Sequence, residues 1–193
     1  MLRPLYDWTM RFAAHRRAHW GLAVISFIES SVFPIPPDVL LIPMVLAERA
    51  KAWFYATVCT VASVLGGLAG YLIGLLLFDA IGRPILDLYG YGAQFDQFAQ
   101  RYNDWGAWIV LVAGITPFPY KVITIASGMT QLDIWVFLLA SLAARGARFY
   151  LVAALLYAFG PPIRDFIERR LGLVTAIGFA LLIGGFVVAK MLA

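Results

Sequence analysis

The sequence predicts an all-α integral membrane protein made of two inverted repeats, and three observations lead to this prediction. Of its 193 residues, 62% are hydrophobic and only 13% are charged, whereas about 25% are charged in an average soluble domain. A proline-containing pattern occurs twice, once in each half of the chain. Basic residues are concentrated in the segments that would lie on one side of a membrane, as the positive-inside rule requires.

The duplicated pattern is Pro-x-Pro-x-charge-Val-apolar-x-Ile, which begins at Pro34 and again at Pro117. Proline has no backbone N–H and its ring clashes with the preceding turn, so two prolines one residue apart end an entering helix. Broken backbone in hydrocarbon leaves unsatisfied polar groups that each cost several kcal/mol, so it must face protein or a water-filled cavity. Each copy is therefore predicted to be an inward-facing helix break. The residues assigned to the breaks are Pro34, Pro36, Pro37, Pro117, Pro119 and Gly128.

Each break is predicted to form part of a repeat, over residues 20–78 and 107–159. Residues 20–33 are too few to span about 30 Å of hydrocarbon at about 1.5 Å per residue, so a re-entrant helical hairpin is expected there. The longer apolar runs at 53–78 and 134–159 are predicted to cross, the second ending at Pro161-Pro162. Because a hairpin does not cross and the helix does, the second repeat enters from the opposite side, which is inverted topology.

The first crossing run contains glycines at a spacing of four, Gly66, Gly70 and Gly74. Small residues on one helix face let another helix approach closely where no hydrophobic effect drives association. This face is therefore predicted to serve packing. The only cysteine, Cys59, lies in the same apolar run and is predicted to be a core residue.

Three further segments complete the single membrane domain. Residues 1–19 form a basic segment, and residues 160–193 form a charged connection followed by a C-terminal transmembrane helix. Between the repeats, residues 79–106 are predicted to be an interfacial linker, because aromatic residues recur there at helical spacing among polar ones, as in a helix lying on a membrane surface. These aromatic residues are Phe95, Phe98, Tyr102 and Trp105.

The basic residues predict a multi-pass protein with a cytoplasmic N-terminus. With that orientation the cytoplasmic segments hold Arg3, Arg11, Arg16, Arg17, Arg49, Lys51, Arg164, Arg169 and Arg170, and the far side holds only Arg83, Arg101 and Lys190. The net charge of +4 therefore orients the chain in the bilayer. Because no basic stripe with interleaved aromatics lies on a polar scaffold, no nucleic-acid partner is predicted.

Five charged residues remain at predicted membrane depth: Glu29, Asp38, Lys121, Arg145 and Arg148. Each of these charges would cost about 2.5 to 3.5 kcal/mol at a helix centre, so they need partners or a wet cavity. The two arginines are three residues apart on one helix face. They occupy the places where the first repeat has Ser63 and Gly66.

These charges suggest a site for an anion and a proton. Half-helices that begin near Asp38 and Lys121 would present free N–H groups to the breaks, and Arg145 and Arg148 would add paired donors for the same anion. Substrate binding is therefore assigned to Lys121 and the arginines. Proton coupling is assigned to Glu29 and Asp38; for Glu29 the reason is its apolar surroundings, which favour the neutral form of a carboxylate. The alternative is that acids and bases simply neutralise one another as ion pairs.

The chain resembles the DedA superfamily of bacterial membrane proteins, whose domain is also called VTT or SNARE-associated, and most closely its YqaA-like branch. The resemblance covers about residues 20–160. It depends on the stretch from Glu29 to Asp38 with its prolines, and on residues 116–121, Thr-Pro-Phe-Pro-Tyr-Lys, followed by Ala-Ser-Gly-Met at 126–129. It implies two opposed re-entrant hairpins in the bacterial cytoplasmic, or inner, membrane.

The resemblance also implies a function, because several family members are implicated in moving undecaprenyl phosphate or phospholipids between leaflets with proton coupling. By it, Glu29 and Asp38 are the functional acids, and Lys121 takes the place of a basic residue in the second motif. Many members carry a further arginine a few residues before that proline, where this chain has Gly114 and Ile115. Arg145 and Arg148 are the candidates to replace it.

We therefore expect a membrane lipid translocase, or flippase, whose partners are an anionic lipid head group and protons. Two alternatives stay open, a passive lipid scramblase and a proton- or cation-coupled small-solute carrier or membrane homeostasis factor. No histidine-based triad, metal-ligand spacing or cysteine nucleophile lies at membrane depth, so no enzyme, cofactor or metal site is predicted. The oligomeric state is left open, a homodimer included.

Overall fold

The computed structural model describes residues 17–32, 35–116 and 118–169. Within these ranges the chain is helical apart from short connections, and no strand occurs. The predicted all-α fold is thus confirmed for the described part. Nearly all of the basic N-terminal segment, the predicted C-terminal transmembrane helix, Pro34 and Pro117 lie outside the described residues.

Eight α-helices make up the described part of the chain. They are α1 (Ala18–Ser31), α2 (Asp38–Ala47), α3 (Ala52–Leu77), α4 (Arg83–Leu88), α5 (Gly92–Asp104), α6 (Gly106–Ile115), α7 (Tyr120–Met129) and α8 (Ile134–Arg169). Two helical stretches, Arg49–Leu88 and Ile134–Gly160, are long and apolar enough to cross a membrane. The apolar helices α2 and α6 have 10 residues each, so each is about 15 Å long, half of an about 30 Å hydrocarbon core.

Proline residues separate the short helices at both copies of the repeated pattern. Helix α1 ends at Ser31, Pro36 lies in the connection, and Pro37 is the N-cap of α2. In the second copy Pro119 is the N-cap of α7. Gly128 lies elsewhere, one residue before the end of α7, where an added Cβ would be 1.9 Å from the carbonyl oxygen of Tyr71. It therefore serves the contact between α7 and α3.

The first of the two helices predicted to cross a membrane is longer than expected. It does not end at Phe78, because the π-helical turn Phe78–Gly82 and α4 carry the helical backbone on to Leu88. Pro84 lies in the first turn of α4, where the missing N–H would have no helical partner in any case. Residues 79–88 of the predicted linker are thus part of this helix.

The second helix predicted to cross a membrane is kinked and does not end at Pro161-Pro162. Phe159 has non-helical torsion angles, φ −114° and ψ 18°, and the helix then continues to Arg169. Pro161 cannot donate a hydrogen bond to the Tyr157 carbonyl one turn earlier. Arg49 donates to that oxygen instead, and its guanidinium lies 5.6 Å from the Tyr157 ring centroid.

Helix α3 lies at the centre of the described bundle and packs against α1, α7 and α8. An added Cβ at Gly66 would lie 2.1 Å from the carbonyl oxygen of Phe27 in α1, and one at Gly74 would lie 2.1 Å from that of Ile125 in α7. The predicted packing role of the glycine face is therefore confirmed. Cys59 is fully buried in the apolar core, as predicted. Through these contacts α3 holds one short helix from each predicted repeat.

Candidate functional site: a cluster of arginine and carboxylate pairs

Four of the five predicted intramembrane charges meet as two ion pairs. Arg145 Nη2 lies 2.6 Å from Glu29 Oε2, and Arg148 Nη2 lies 2.6 Å from Asp38 Oδ2. Glu29 comes before the first helix break and Asp38 comes directly after it, at the start of α2. Because Arg145 and Arg148 are three residues apart on α8, one helix face reaches both sides of the break.

The two pairs differ in depth. The Arg145 side chain is 0% exposed and that of Glu29 is 13% exposed, whereas those of Arg148 and Asp38 are 22% and 21% exposed. Breaking a buried pair leaves an uncompensated charge and costs about 3 to 5 kcal/mol. The buried pair of Arg145 and Glu29, called the inner pair, therefore contributes more to stability. The pair of Arg148 and Asp38, called the outer pair, is the more accessible one.

Buried hydroxyl groups extend the inner pair into a closed network. Arg145 Nε donates a 2.6 Å hydrogen bond to Ser63 Oγ, and the hydroxyls of Ser63 and Ser30 are 2.7 Å apart. Ser30 Oγ donates a 3.0 Å bond to Glu29 Oε2. The network therefore connects the acid and the base both directly and through two serines.

Aromatic rings enclose the Arg145 guanidinium. Its central carbon lies 4.8 Å from the Tyr120 ring centroid and 4.7 Å from that of Phe149, distances at which a cation is attracted to the ring face. Its Nη1 group is buried and has no hydrogen-bond partner among the described residues. A buried unsatisfied donor costs about 1 to 3 kcal/mol, so this group would favour an additional acceptor.

Lys121 lies in the first turn of α7, at the second helix break, and forms no ion pair within the described residues. Its Nζ donates a 3.4 Å hydrogen bond to the carbonyl oxygen of Val32, which directly follows α1. One turn further, Thr124 Oγ1 donates a 3.1 Å bond to the carbonyl oxygen of Ser30. The two breaks are therefore in direct contact. Five charges gather around them, with one more positive than negative charge when all are ionised.

The serines of this network were not predicted as site residues. In the predicted repeats Ser63 occupies the position equivalent to Arg145, and in the structure these two side chains are hydrogen-bonded to each other. The signal that could have found them is the polarity of Ser30 and Ser63 within apolar helices, since buried hydroxyls need partners. Within the described residues, no group of three His, Cys, Asp or Glu side chains could hold a metal ion.

Comparison with known proteins supports the resemblance noted from the sequence. The VTT domain matches residues 35–159, a range that contains Asp38, Lys121 and both arginines. An uncharacterized protein of Haemophilus influenzae is 41% identical over 151 residues, 78% of each chain. An uncharacterized protein of Histophilus somni, described as an HI0703 homolog, is 39% identical over the same share. No solved structure matches the chain. The chain belongs to the VTT-domain family, which is the DedA family.

Proposed function

We propose that this protein moves an anionic membrane lipid between leaflets. During transfer, Arg145 and Arg148 would exchange their carboxylate partners for the lipid phosphate. Family membership and two apolar helices of spanning length support a transporter-like function in a membrane. The observation that carries the finer proposal is the pairing of Glu29 with Arg145 and of Asp38 with Arg148 at the contact between two helix breaks.

The topology that we propose has two re-entrant hairpins that enter from opposite sides. Helices α2 and α6 are each about half the thickness of the hydrocarbon core, and the breaks that precede α2 and α7 contact each other through Lys121 and Thr124. Opposed entry would bring these breaks together near the middle of the membrane. The orientation that we propose has the N-terminus in the cytoplasm of a bacterial cell and the protein in its inner membrane.

Competition for the guanidinium groups would couple the lipid to protons. In the described state Glu29 occupies Nη2 of Arg145 and Ser63 occupies Nε. A phosphate that binds Arg145 must displace the carboxylate or add to the free Nη1. Protonation of Glu29 weakens its hold on Arg145 and leaves the arginine to the phosphate, so that the two events assist each other. Such a linkage acts equally in both directions.

Apolar residues beside the charges favour a lipid over a small soluble anion. Val39 follows Asp38, Val122 follows Lys121, and Val32 supplies the carbonyl that Lys121 contacts; these valines are 55%, 48% and 58% exposed. A ligand that reaches the cluster would therefore contact both charge and hydrocarbon. An amphiphilic molecule with an anionic head, such as a polyprenyl phosphate or a phospholipid, satisfies both surfaces.

Reconstitution in liposomes tests the proposal. Undecaprenyl phosphate and, separately, fluorescent phospholipids are followed between leaflets with and without a pH gradient, and the lipids recovered afterwards are analysed for chemical change. We expect transfer of unmodified lipid that is faster with the gradient. Glu29→Gln should still bind the lipid but lose the response to the gradient. Transfer that ignores the gradient in the unaltered protein would favour the passive scramblase, and no transfer of any lipid would refute the proposal.

A further inference from the structure

A groove of about 670 Å³ lies on the side of α5 and α6, away from the ion pairs. Its volume is within the about 300 to 1,000 Å³ of pockets that hold small organic ligands. It lies between the amphipathic helix α5, the apolar helix α6 and the start of α7. The proposed transport step does not use this groove.

The wall formed by α5 is fixed by polar contacts to α7. Tyr102 is buried, and its hydroxyl lies 3.0 Å from Ser127 Oγ. Asn103 Nδ2 donates a 2.8 Å hydrogen bond to the carbonyl oxygen of Thr130, directly after α7. These contacts hold α5 against α7 and so fix the shape of the groove.

The groove runs from an aromatic rim towards the second helix break. Phe98, Trp105 and Trp108 line one end and are 52%, 65% and 63% exposed; such aromatic residues concentrate where a membrane meets water. Ile109 and Val112 continue the lining along α6. Because α6 has 10 residues, the groove follows it for about 15 Å, a length equal to about half the thickness of the hydrocarbon core. Phe118 and Ile123, on either side of the start of α7, form the inner end.

Among the described residues that line this groove, one is charged, Arg101. Arg101 is exposed and forms neither an ion pair nor a side-chain hydrogen bond within the described residues. The acids of α5, Asp96 and Asp104, do not line the groove. The groove therefore combines apolar walls with one cation, Arg101 on α5. These two features match the two parts of an anionic lipid, a hydrocarbon chain and a phosphate.

We propose that the groove binds one chain of an anionic membrane lipid whose phosphate lies at Arg101. Its inner end is formed in part by Ile123 in α7, the helix that also carries Lys121. The identity of this lipid with the transported one rests on the proposed function, whereas binding in the groove does not.

Native mass spectrometry of the full chain tests the proposal. It compares the affinity for the first bound phosphatidylglycerol with the affinity for the first bound phosphatidylcholine. We expect about fivefold preference for the anionic lipid, which corresponds to about 1 kcal/mol for one basic residue near an anionic group. Arg101→Gln should remove the preference. Arg83→Gln is the matched control, because it removes the same charge from a residue that pairs with Asp96 outside the groove. This variant should keep the preference for the anionic lipid. Equal effects of the two variants would overturn the proposal.

Filling the groove provides an independent test. Val112 lines the groove and is 58% exposed, so Val112→Trp should obstruct the chain and weaken binding of both lipids at least several-fold. Unchanged binding by Val112→Trp, or no tightly bound lipid on the unaltered chain, would overturn the proposal. A dimer that Val112→Trp dissociates would instead make the groove an interface between copies. Arg148→Ala, which should cost less stability than Arg145→Ala because its ion pair is partly exposed, should keep the groove lipid while losing leaflet transfer, which separates this inference from the proposed function.

Discussion

At the scale of single residues, the pairing of acids with arginines changes how their roles are understood. From the sequence, Glu29 and Asp38 are predicted to exchange protons, and Arg145 and Arg148 are predicted to bind the anion, as two separate sets. In the structure each acid binds one arginine at 2.6 Å. The ion-pair alternative and the functional one are therefore not exclusive, because a pair that neutralises itself at rest can also open for a ligand.

We predict that the inner pair matters more for stability than the outer pair. Arg145→Ala leaves Glu29 without its cation and should lower the free energy of unfolding by about 3 to 5 kcal/mol. Arg148→Ala should cost less, because its pair is about one-fifth exposed. Combining Arg145→Ala with Glu29→Gln should restore part of the loss, and the double-mutant cycle measures the coupling. Thermal unfolding in detergent is the measurement; strictly additive effects would contradict the prediction.

At the scale of helices, close backbone contacts and capped carbonyl groups decide where elements lie. The glycine spacing predicted the packing face of α3. The continuation of α3 through a π-helical turn and the kink of α8 were not predicted. Both lie where polar residues or prolines predict the end of a helix, and in both places the helical backbone continues. The bond from Arg49 joins residues 108 positions apart, and no local pattern contains that information.

We predict that Gly74→Ala disrupts the contact between α3 and α7. The added methyl group would lie 2.1 Å from the carbonyl oxygen of Ile125, and overpacking of this kind costs about 1 to 3 kcal/mol. The control is Gly146→Ala in α8, whose Cβ would be 3.7 Å from Thr60 Cγ2, an ordinary contact. Thermal unfolding should show a loss for the first variant only. Equal stability of the two variants would contradict the described packing.

The kink of α8 gives a second prediction at this scale. Arg49→Ala removes the donor to the Tyr157 carbonyl and should lower the free energy of unfolding by about 1.5 to 3 kcal/mol, the range for hydrogen bonds that involve a charged group. Lys51→Ala is the control, since its amine pairs with Glu48 at the surface, and no measurable loss is expected. If both variants unfold at the same temperature, Arg49 does not hold the kink.

At the scale of the whole molecule, the sequence predicted which residues gather but not how they pair. Hydropathy marks five charges as costly wherever they lie in a membrane, so their assembly follows from composition and position. The partner of each charge does not follow, because Glu29 and Arg145 are separated by 116 positions and no local pattern joins them.

The proposed inverted topology predicts that the turn before α3 and helix α5 lie on opposite sides of the membrane. Ala50 and Gln97 are exposed, so Ala50→Cys and Gln97→Cys in a Cys59→Ser background provide the probes. A membrane-impermeant thiol reagent applied to intact cells should label position 97, and position 50 only after the cells are opened. Labelling of both from the same side would refute the topology.

The presence of two ion pairs also bears on the electrical balance of transport. Moving one elementary charge across 100 mV changes its free energy by about 2.3 kcal/mol. A singly charged phosphate that crosses with one proton carries no net charge, so its transfer would be insensitive to the membrane potential. If both Glu29 and Asp38 gave up their arginines and took protons, each crossing would carry one positive charge and would respond to the potential. The voltage dependence of transfer therefore reports how many of the two pairs open for each lipid.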